Sequence, residues 1–253
     1  MRHDQRLAAA FTELSDVHRP DFDADAYGHT LALQSVSLLD VDAAGWLWAG
    51  DNGCPEAAGG TTDAVRFLLV TQLGTGDGPA AESLRTQRML SVADVAADTR
   101  WAAFRAAVLD AGFGSVHTLP LQQNGQVIGA LSLFQERPGE LAKDDLVVAT
   151  ALAEVAAACL LLKRSVTKAE KLAGQLQTAL NSRVIIEQAK GILAERQGTS
   201  LDDAFELMRA FARHNRRRLN DVACAVVAGT PSVTGLIQAS VDKPQTCLSG
   251  WLS

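Results

Sequence analysis

Residues 115–134 read SVHTLPLQQNGQVIGALSLF. Two runs of apolar and small residues flank Asn124-Gly125. Asn-Gly in that setting signals a tight hairpin, because both turn positions need positive φ. A hairpin makes its strands antiparallel. The stretch therefore argues for an α+β fold, an antiparallel sheet flanked by helices, and against a parallel βαβ stack.

Working upstream, Ser91-Val-Ala-Asp-Val95 reads as a short strand, and Asp98–Ala111 as an amphipathic helix closed by Gly112. Leu84–Met89 reads as part of a helix. Leu31–Leu39 and Val65–Thr71 are apolar runs expected to be strands. Gly74-Thr-Gly-Asp-Gly-Pro79 is glycine-rich but lacks the Gly-Lys-Ser/Thr ending of a phosphate loop, so it is read as a turn.

Working downstream, strand and turn signals almost vanish between Ala142 and Arg196. Leu152, Val155, Cys159, Leu162, Val166, Ala169, Ala173, Leu176 and Leu180 are spaced alternately by 3 and 4. That is the 3.5-residue repeat of a coiled-coil seam. A continuous helix pairing with a second copy is expected; the alternative is two helices, each capping one domain. The last block predicts three helices. The first stops at Gln197-Gly198, the second is capped by Thr199-Ser200, and the third ends at Gly229-Thr-Pro231. On the first, Leu180, Val184, Ala189, Ile192 and Leu193 are the expected core. Phe205 is read as core, and Phe211 as either core or exposed.

A hydrophobic share of 47% with 21% charged residues describes a chain able to bury a core, not a disordered one. The apolar run Val155–Leu162 is too short to span a bilayer, and the first residues carry acids and no secretory pattern. Cys54, Cys159, Cys224 and Cys247 suit neither a disulfide framework nor a zinc site, which points to a reducing cytoplasm. Net charge is −6, but unevenly spread: residues 1–167 carry 12 Lys/Arg against 21 Asp/Glu, and residues 168–229 carry 10 against 7. An acidic front and basic rear fit a nucleic-acid-binding element on a carrier domain. Charge alone also fits a plain solvated surface.

No catalytic set emerges. His3, His18, His29, His117 and His214 fall in no metalloprotease or nucleophile-elbow context, and Asp144-Asp145 suits a helix start. No metal or cofactor site is read, and an enzyme is not expected.

Residues 180–196, LNSRVIIEQAKGILAER, followed by Ala204–Arg209 (AFELMR) and Arg218–Ala223 (RLNDVA), resemble the ANTAR domain. The resemblance implies a three-helix output module that binds paired RNA hairpins in nascent messages and prevents transcription termination. Gly76-Asp-Gly-Pro79, Asp98–Phe104, Leu119-Pro-Leu121 and Ile128–Phe134 resemble a GAF domain of the kind joined to ANTAR modules in actinobacteria. Ala80 departs from the pattern, since many relatives carry cysteine there, and a redox or metal role through that position has no support.

The expected organisation is a helical segment at 1–24, a GAF-like sensor at 25–162, a connecting helix at 163–178, the output module at 179–229 and a flexible tail at 230–253. Ala179, Arg183, Glu187 and Lys190 share one helix stripe, with Gly191 leaving room for a nucleic-acid backbone to approach. An exposed stripe with an Arg183–Glu187 pair is the bland alternative. Arg216, Arg217 and Arg218 can grip phosphates through forked donors. Ser182, Gln188 and Asn215 can read loop bases, and Arg209 and Arg213 share a face of the second helix. In the sensor, Trp46, Trp48, Trp101, Phe104 and His117 are candidates to line a small-molecule pocket of unknown ligand, against plain core. The expected partners are RNA hairpins and a second copy of the chain, with no membrane. A DNA-binding regulator and a non-catalytic protein-interaction module are the rival readings.

Overall fold

The computed structural model describes residues 2–17, 22–50, 54–233 and 236. The chain forms two compact units, residues 1–167 and 168–253. The first contains α1 (Arg2–Ser15), α2 (Ala24–Leu38), β1 (Ala43–Ala49), β2 (Pro55–Gly60), α3 (Asp63–Thr75), α4 (Pro79–Thr86), β3 (Leu90–Val92), α5 (Ala102–Asp110), β4 (Ser115–Gln123) and β5 (Gln126–Gln135). It also holds the first part of α6 (Lys143–Gln197). The second contains the rest of α6, α7 (Leu201–His214), α8 (Leu219–Val227) and a 3-10 turn at Pro231–Val233.

The five strands form one antiparallel sheet in the order β2-β1-β5-β4-β3. The hairpin stands as expected, with Asn124 at φ 52° and Gly125 at φ 77°. Alternation along each strand sends side chains to two cores. Ala44, Trp46, Trp48, Leu119, Leu121, Leu131 and Leu133 meet α1, α2 and α6 on one face. Leu47, Val116, Ala130 and Phe134 meet α3, α4 and α5 on the other. The helix α1 belongs to this packing, since Ala10 and Leu14 are fully buried in it.

Two expected strands are helices. In α2, Leu31, Ala32, Ser35 and Leu38 are buried at helical spacing, and Asp23 caps the start by accepting from Asp25 N. In α3, Val65, Leu68, Leu69 and Gln72 are buried, and Thr62 Oγ1 accepts from Val65 N at 3.2 Å. Short apolar runs fit both periods; the caps and the sheet decide between them. The strands β1 and β2 were not anticipated. They are rich in alanine and glycine, and β1 is buried along its whole length.

That glycine content has a packing reason. Trp46 lies between Gly28 of α2 and Gly59 of β2, and a Cβ on Gly59 would collide with the indole ring. Gly59→Ala is expected to destabilise this unit by about 1–3 kcal/mol through overpacking, read as a lower urea midpoint at unchanged m-value.

The long helix forms without interruption from Lys143 to Gln197, so the alternative of two separate capping helices does not hold. By length and composition it is also apolar enough to cross a membrane, which the 155–162 run by itself is not. Leu152, Ala153, Ala156, Ala157 and Leu160 are instead packed against the sheet as core.

In the second unit Ala189, Leu193, Ala204, Met208, Ala212, Val222, Ala223 and Val226 make the core. Leu180 and Val184, expected there, are 58% and 56% exposed. Ile185 and Ile186 pack against the core in their place, because the inward arc of α6 is set by Ala189 and Leu193, one and two turns further on. The loose tail expected of 230–253 is also corrected at its start: Val233 and Leu236 are buried in this core, and Gln197 donates to the Leu236 carbonyl. The rest of that expectation lies outside the described residues.

Candidate functional site

In the second unit the caps are formed by the residues that their chemistry favours. Ser200 Oγ accepts from Asp203 N at 3.1 Å and donates to the Asp203 carboxylate at 2.8 Å, a reciprocal cap that starts α7. Helix ends after α5, α6, α7 and α8 all close the same way. A backbone N–H beyond the cap bonds back to the carbonyl five residues earlier, as in Thr199 N to Ala194 O and Arg217 N to Ala212 O. Three of these ends place glycine in the left-handed position, namely Gly112, Gly198 and Gly229. The fourth places Arg216 there, at φ 51°.

That choice costs backbone energy, of order 1–2 kcal/mol for a non-glycine residue. It presents four arginines on one turn. Arg213, Arg216 and Arg218 are exposed and Arg217 is half-buried, with Arg218 also at the cap of α8. Asn215 is exposed, but its Nδ2 is engaged, donating to the Phe211 carbonyl at 2.9 Å.

On α6, Ala179 and Arg183 are exposed and Ser182 is half-buried. Lys190 is not the free cation that its place on the stripe suggests. Its side chain is only 14% exposed, its Nζ lies 3.0 Å from Glu187 Oε2, and it sits 5.7 Å over the ring of Phe205. Lys190 therefore takes Glu187, leaving the Arg183 guanidinium unencumbered by the pair anticipated between them. Gly191 is exposed with open space where a Cβ would stand. Gln188 is exposed but lies further round the helix, on the side of Val184 and Gly191. Arg209 is exposed and pairs with Glu206 at 3.4 Å. Phe205 and Phe211 are both partly buried against the core. One polar atom here escaped sequence reading: the Asn220 side-chain oxygen, in the first turn of α8, is buried without a hydrogen-bond partner.

In the first unit the five pocket candidates do not converge. Trp46 and Trp48 belong to the core under α2 and α6, with Trp48 Nε1 donating to the Ala24 carbonyl at 3.2 Å. His117 lies on that same face of the sheet, inside a hydrogen-bonded chain with Ser91 and Gln135. Phe104 and Trp101 pack with the opposite core. Trp101 donates to Glu82 at 3.1 Å beneath the guanidinium of Arg100, which the Asp98 carboxylate pairs at 2.6 Å. Alternation along β1 and β4 separates these residues, which a reading of residue types alone could not see. A groove of ligand size, about 520 Å³, opens elsewhere. Met89, Leu119, Pro120, the hairpin tip, Thr150 and Glu154 line it, and among the described residues no cation does. Among the described residues no cluster of three or more His, Cys, Asp or Glu stands ready to hold a metal ion.

A family model described as a GAF domain matches residues 29–160, more than half of the chain. The chain belongs to the GAF family. An ANTAR domain model matches residues 174–227, so the GAF sensor is followed by an ANTAR module. GAF domains sense signals, and the ANTAR domain is an RNA-binding antitermination module.

Among solved structures, the GAF domain of a phosphoenolpyruvate-protein phosphotransferase from Coxiella burnetii is similar at 16% identity and TM-score 0.51. The match covers 66% of this chain and 96% of that one. A domain of a two-component sensor histidine kinase protein from Sinorhizobium meliloti matches at 15% identity and TM-score 0.49, over 59% of this chain and 99% of that one. The Coxiella burnetii likeness, at that identity, speaks to the fold alone. A comparison with curated proteins finds no match.

Proposed function

We propose that this chain is a signal-responsive regulator that binds paired hairpins in nascent transcripts and prevents transcription termination. The observation that carries the reading is the ANTAR match over a module that keeps an arginine in a left-handed position and so crowds Arg213, Arg216, Arg217 and Arg218 onto one turn. Arg183, Ala179, Ser182 and Gly191 on α6 supply a second face, where small residues admit a phosphate backbone. Phosphate contacts set affinity and position. Loop bases are read by Gln188 and Ser182, with Lys190 bracing Phe205 and Glu187 and Arg209 supporting α7.

The chain works as a homodimer. Residues 165–181 of α6 are exposed, and Val166, Leu176 and Leu180, with Leu172 flanking them, leave an apolar seam open to solvent. A second α6 covers that seam in coiled-coil fashion, and two ANTAR modules then engage two hairpins. A small molecule in the GAF domain sets the geometry of the pair. The protein acts in the cytoplasm, by binding and without catalysis.

The test is binding of the full-length protein to a tandem-hairpin RNA, beside the same RNA with altered loop bases and a DNA duplex, across a salt series. Loop-dependent binding that weakens as salt rises is expected. Equal binding to all three nucleic acids would defeat hairpin recognition, and preference for the duplex would make the protein a DNA-binding regulator.

A further inference from the structure

We infer that His117 is a proton-operated tie between the GAF sheet and the root of α6, making acidity an input that the sensor reads. Its effect on RNA rests on the function proposed above; the tie itself does not.

His117 is fully buried on β4. Its Nδ1 lies 2.9 Å from Ser91 Oγ on β3, and its Nε2 lies 3.3 Å from Gln135 Oε1 at the end of β5. Ser91 Oγ in turn donates to Glu140 Oε2 at 2.8 Å. The orientation of the Gln135 amide is set independently: its Nε2 donates to the Asp40 carbonyl at 2.8 Å, so its oxygen must face His117 and Ser115. The chain Glu140–Ser91–His117–Gln135 thus has an acceptor at each end.

Three hydrogen bonds have to be filled between those acceptors. Ser91 brings one proton and a neutral imidazole brings one, so one bond is always left without a proton. With the proton on Nδ1, the Gln135 contact is acceptor against lone pair. With it on Nε2, Ser91 must turn its hydroxyl to Nδ1 and release Glu140. Taking up one solvent proton yields the imidazolium, which donates from both nitrogens and lets Ser91 keep Glu140. All three bonds are then complete.

Burial opposes this and holds the His117 titration below its usual range, while Gln135, Glu140 and a backbone hydrogen bond with Gly139 push the other way. The charged group that bears on the ring is Glu140. β3 and β5 contribute no ionisable side chain, and β4 contributes none besides His117. The loop into α6 also carries Glu136, whose N–H is held by Asp42 at 2.7 Å, and Arg137, whose carbonyl accepts from Ser115 at 3.1 Å. In the first turn of α6, Asp145 accepts from Asp40 N at 3.4 Å beside Lys143 and Asp144.

Glu140 stands three residues before α6, so the bond that the Nε2-protonated neutral form of His117 sacrifices ties down the start of that helix, and the imidazolium keeps it in every case. A histidine with a depressed folded pKa stabilises the fold above its unfolded value near 6.5 and loses that contribution as pH falls through the folded value. Acidification therefore tightens the loop locally while lowering the melting temperature of the domain.

Full-length protein is followed by proton–carbon NMR of the histidine rings, with His117→Asn to assign the signal, and by hydrogen exchange of residues 136–142. Between about pH 7.5 and about pH 4, wild-type His117 is expected to titrate, on the acid side of the usual histidine value because burial opposes its charge. Exchange in this segment, corrected for its intrinsic pH dependence, is expected to slow several-fold. Ser91→Ala, a change at an exposed residue, should abolish the slowing, and it carries the test if His117→Asn does not fold. A His117 ring that keeps one tautomer throughout, or the same exchange response in Ser91→Ala, would overturn the tie. Hairpin affinity is measured at both pH values separately. Loss of binding at both would count against the RNA reading, while the ring titration and exchange would still decide the tie.

Discussion

Replacing Arg183, Arg217 and Arg218 together with alanine is expected to weaken binding to a tandem hairpin about a hundredfold at roughly 0.1 M salt, with the salt slope reduced by about one per lost phosphate contact. These side chains do not build the core, which is made by Ala189, Leu193, Met208, Val222 and their neighbours. Melting should therefore change little, and circular dichroism beside the binding isotherm separates the two effects.

Arg216 sharpens the test. Glycine occupies its left-handed position at the other three helix ends of this type, so Arg216→Gly is expected to stabilise the module by about 1 kcal/mol. The same change should weaken RNA binding. Opposite signs in the two measurements are what a residue kept for its ligand would produce. A stabilised Arg216→Gly that binds RNA as well as wild type would remove this turn from the interface.

Replacing Leu172 and Leu176 with glutamine is expected to convert the dimer proposed above into a monomer in analytical ultracentrifugation and to lower tandem-hairpin affinity by roughly 10² to 10⁴. Both leucines are more than half exposed in the single chain, so their loss leaves no cavity. Glutamine leaves the charge unchanged and keeps helix propensity, which excludes long-range electrostatics and unwinding as the cause. Affinity for one isolated hairpin should be unchanged, because a single module makes that contact. A variant that remains dimeric would place the interface elsewhere. A monomer binding the tandem RNA as tightly as wild type would show that bivalency contributes nothing.

The candidate site was legible only in part. Arg183 and the 216–218 cluster stood out as exposed cations in a basic segment, because surface arginines need no tertiary information to be noticed. Lys190 looked equivalent, yet Glu187 and Phe205 claim it. The clue was present, since Glu187 and Lys190 are three apart, but Arg183 competes for the same carboxylate and only packing chooses. The strain at Arg216 and the buried Asn220 oxygen were invisible, as both depend on how α7 turns into α8. In the sensor, His117 was picked out as a pocket residue by type, and its neighbours give it a different character.

What the amino-acid sequence determined by itself is what short-range chemistry determines. Asn124-Gly125 makes the hairpin because its backbone can take two positive φ values. Ser200 and Gly198 bound the turn between α6 and α7 through caps reaching only a few residues, and an unbroken run of helix-formers makes α6. Tertiary structure decided everything that depends on which surface a residue meets. The apolar runs at 31–39 and 65–71 suit helix and strand equally, and they are helices where the pairing of β1 with β5 leaves sheet faces to be covered. The same pairing sent Trp46, Trp48 and His117 to one side of the sheet and Phe104 to the other. It brought Ser91, His117, Gln135 and Glu140 together across as many as 49 residues of chain. No periodicity encodes such a meeting, because pairing register is settled only when distant strands bury their apolar faces together.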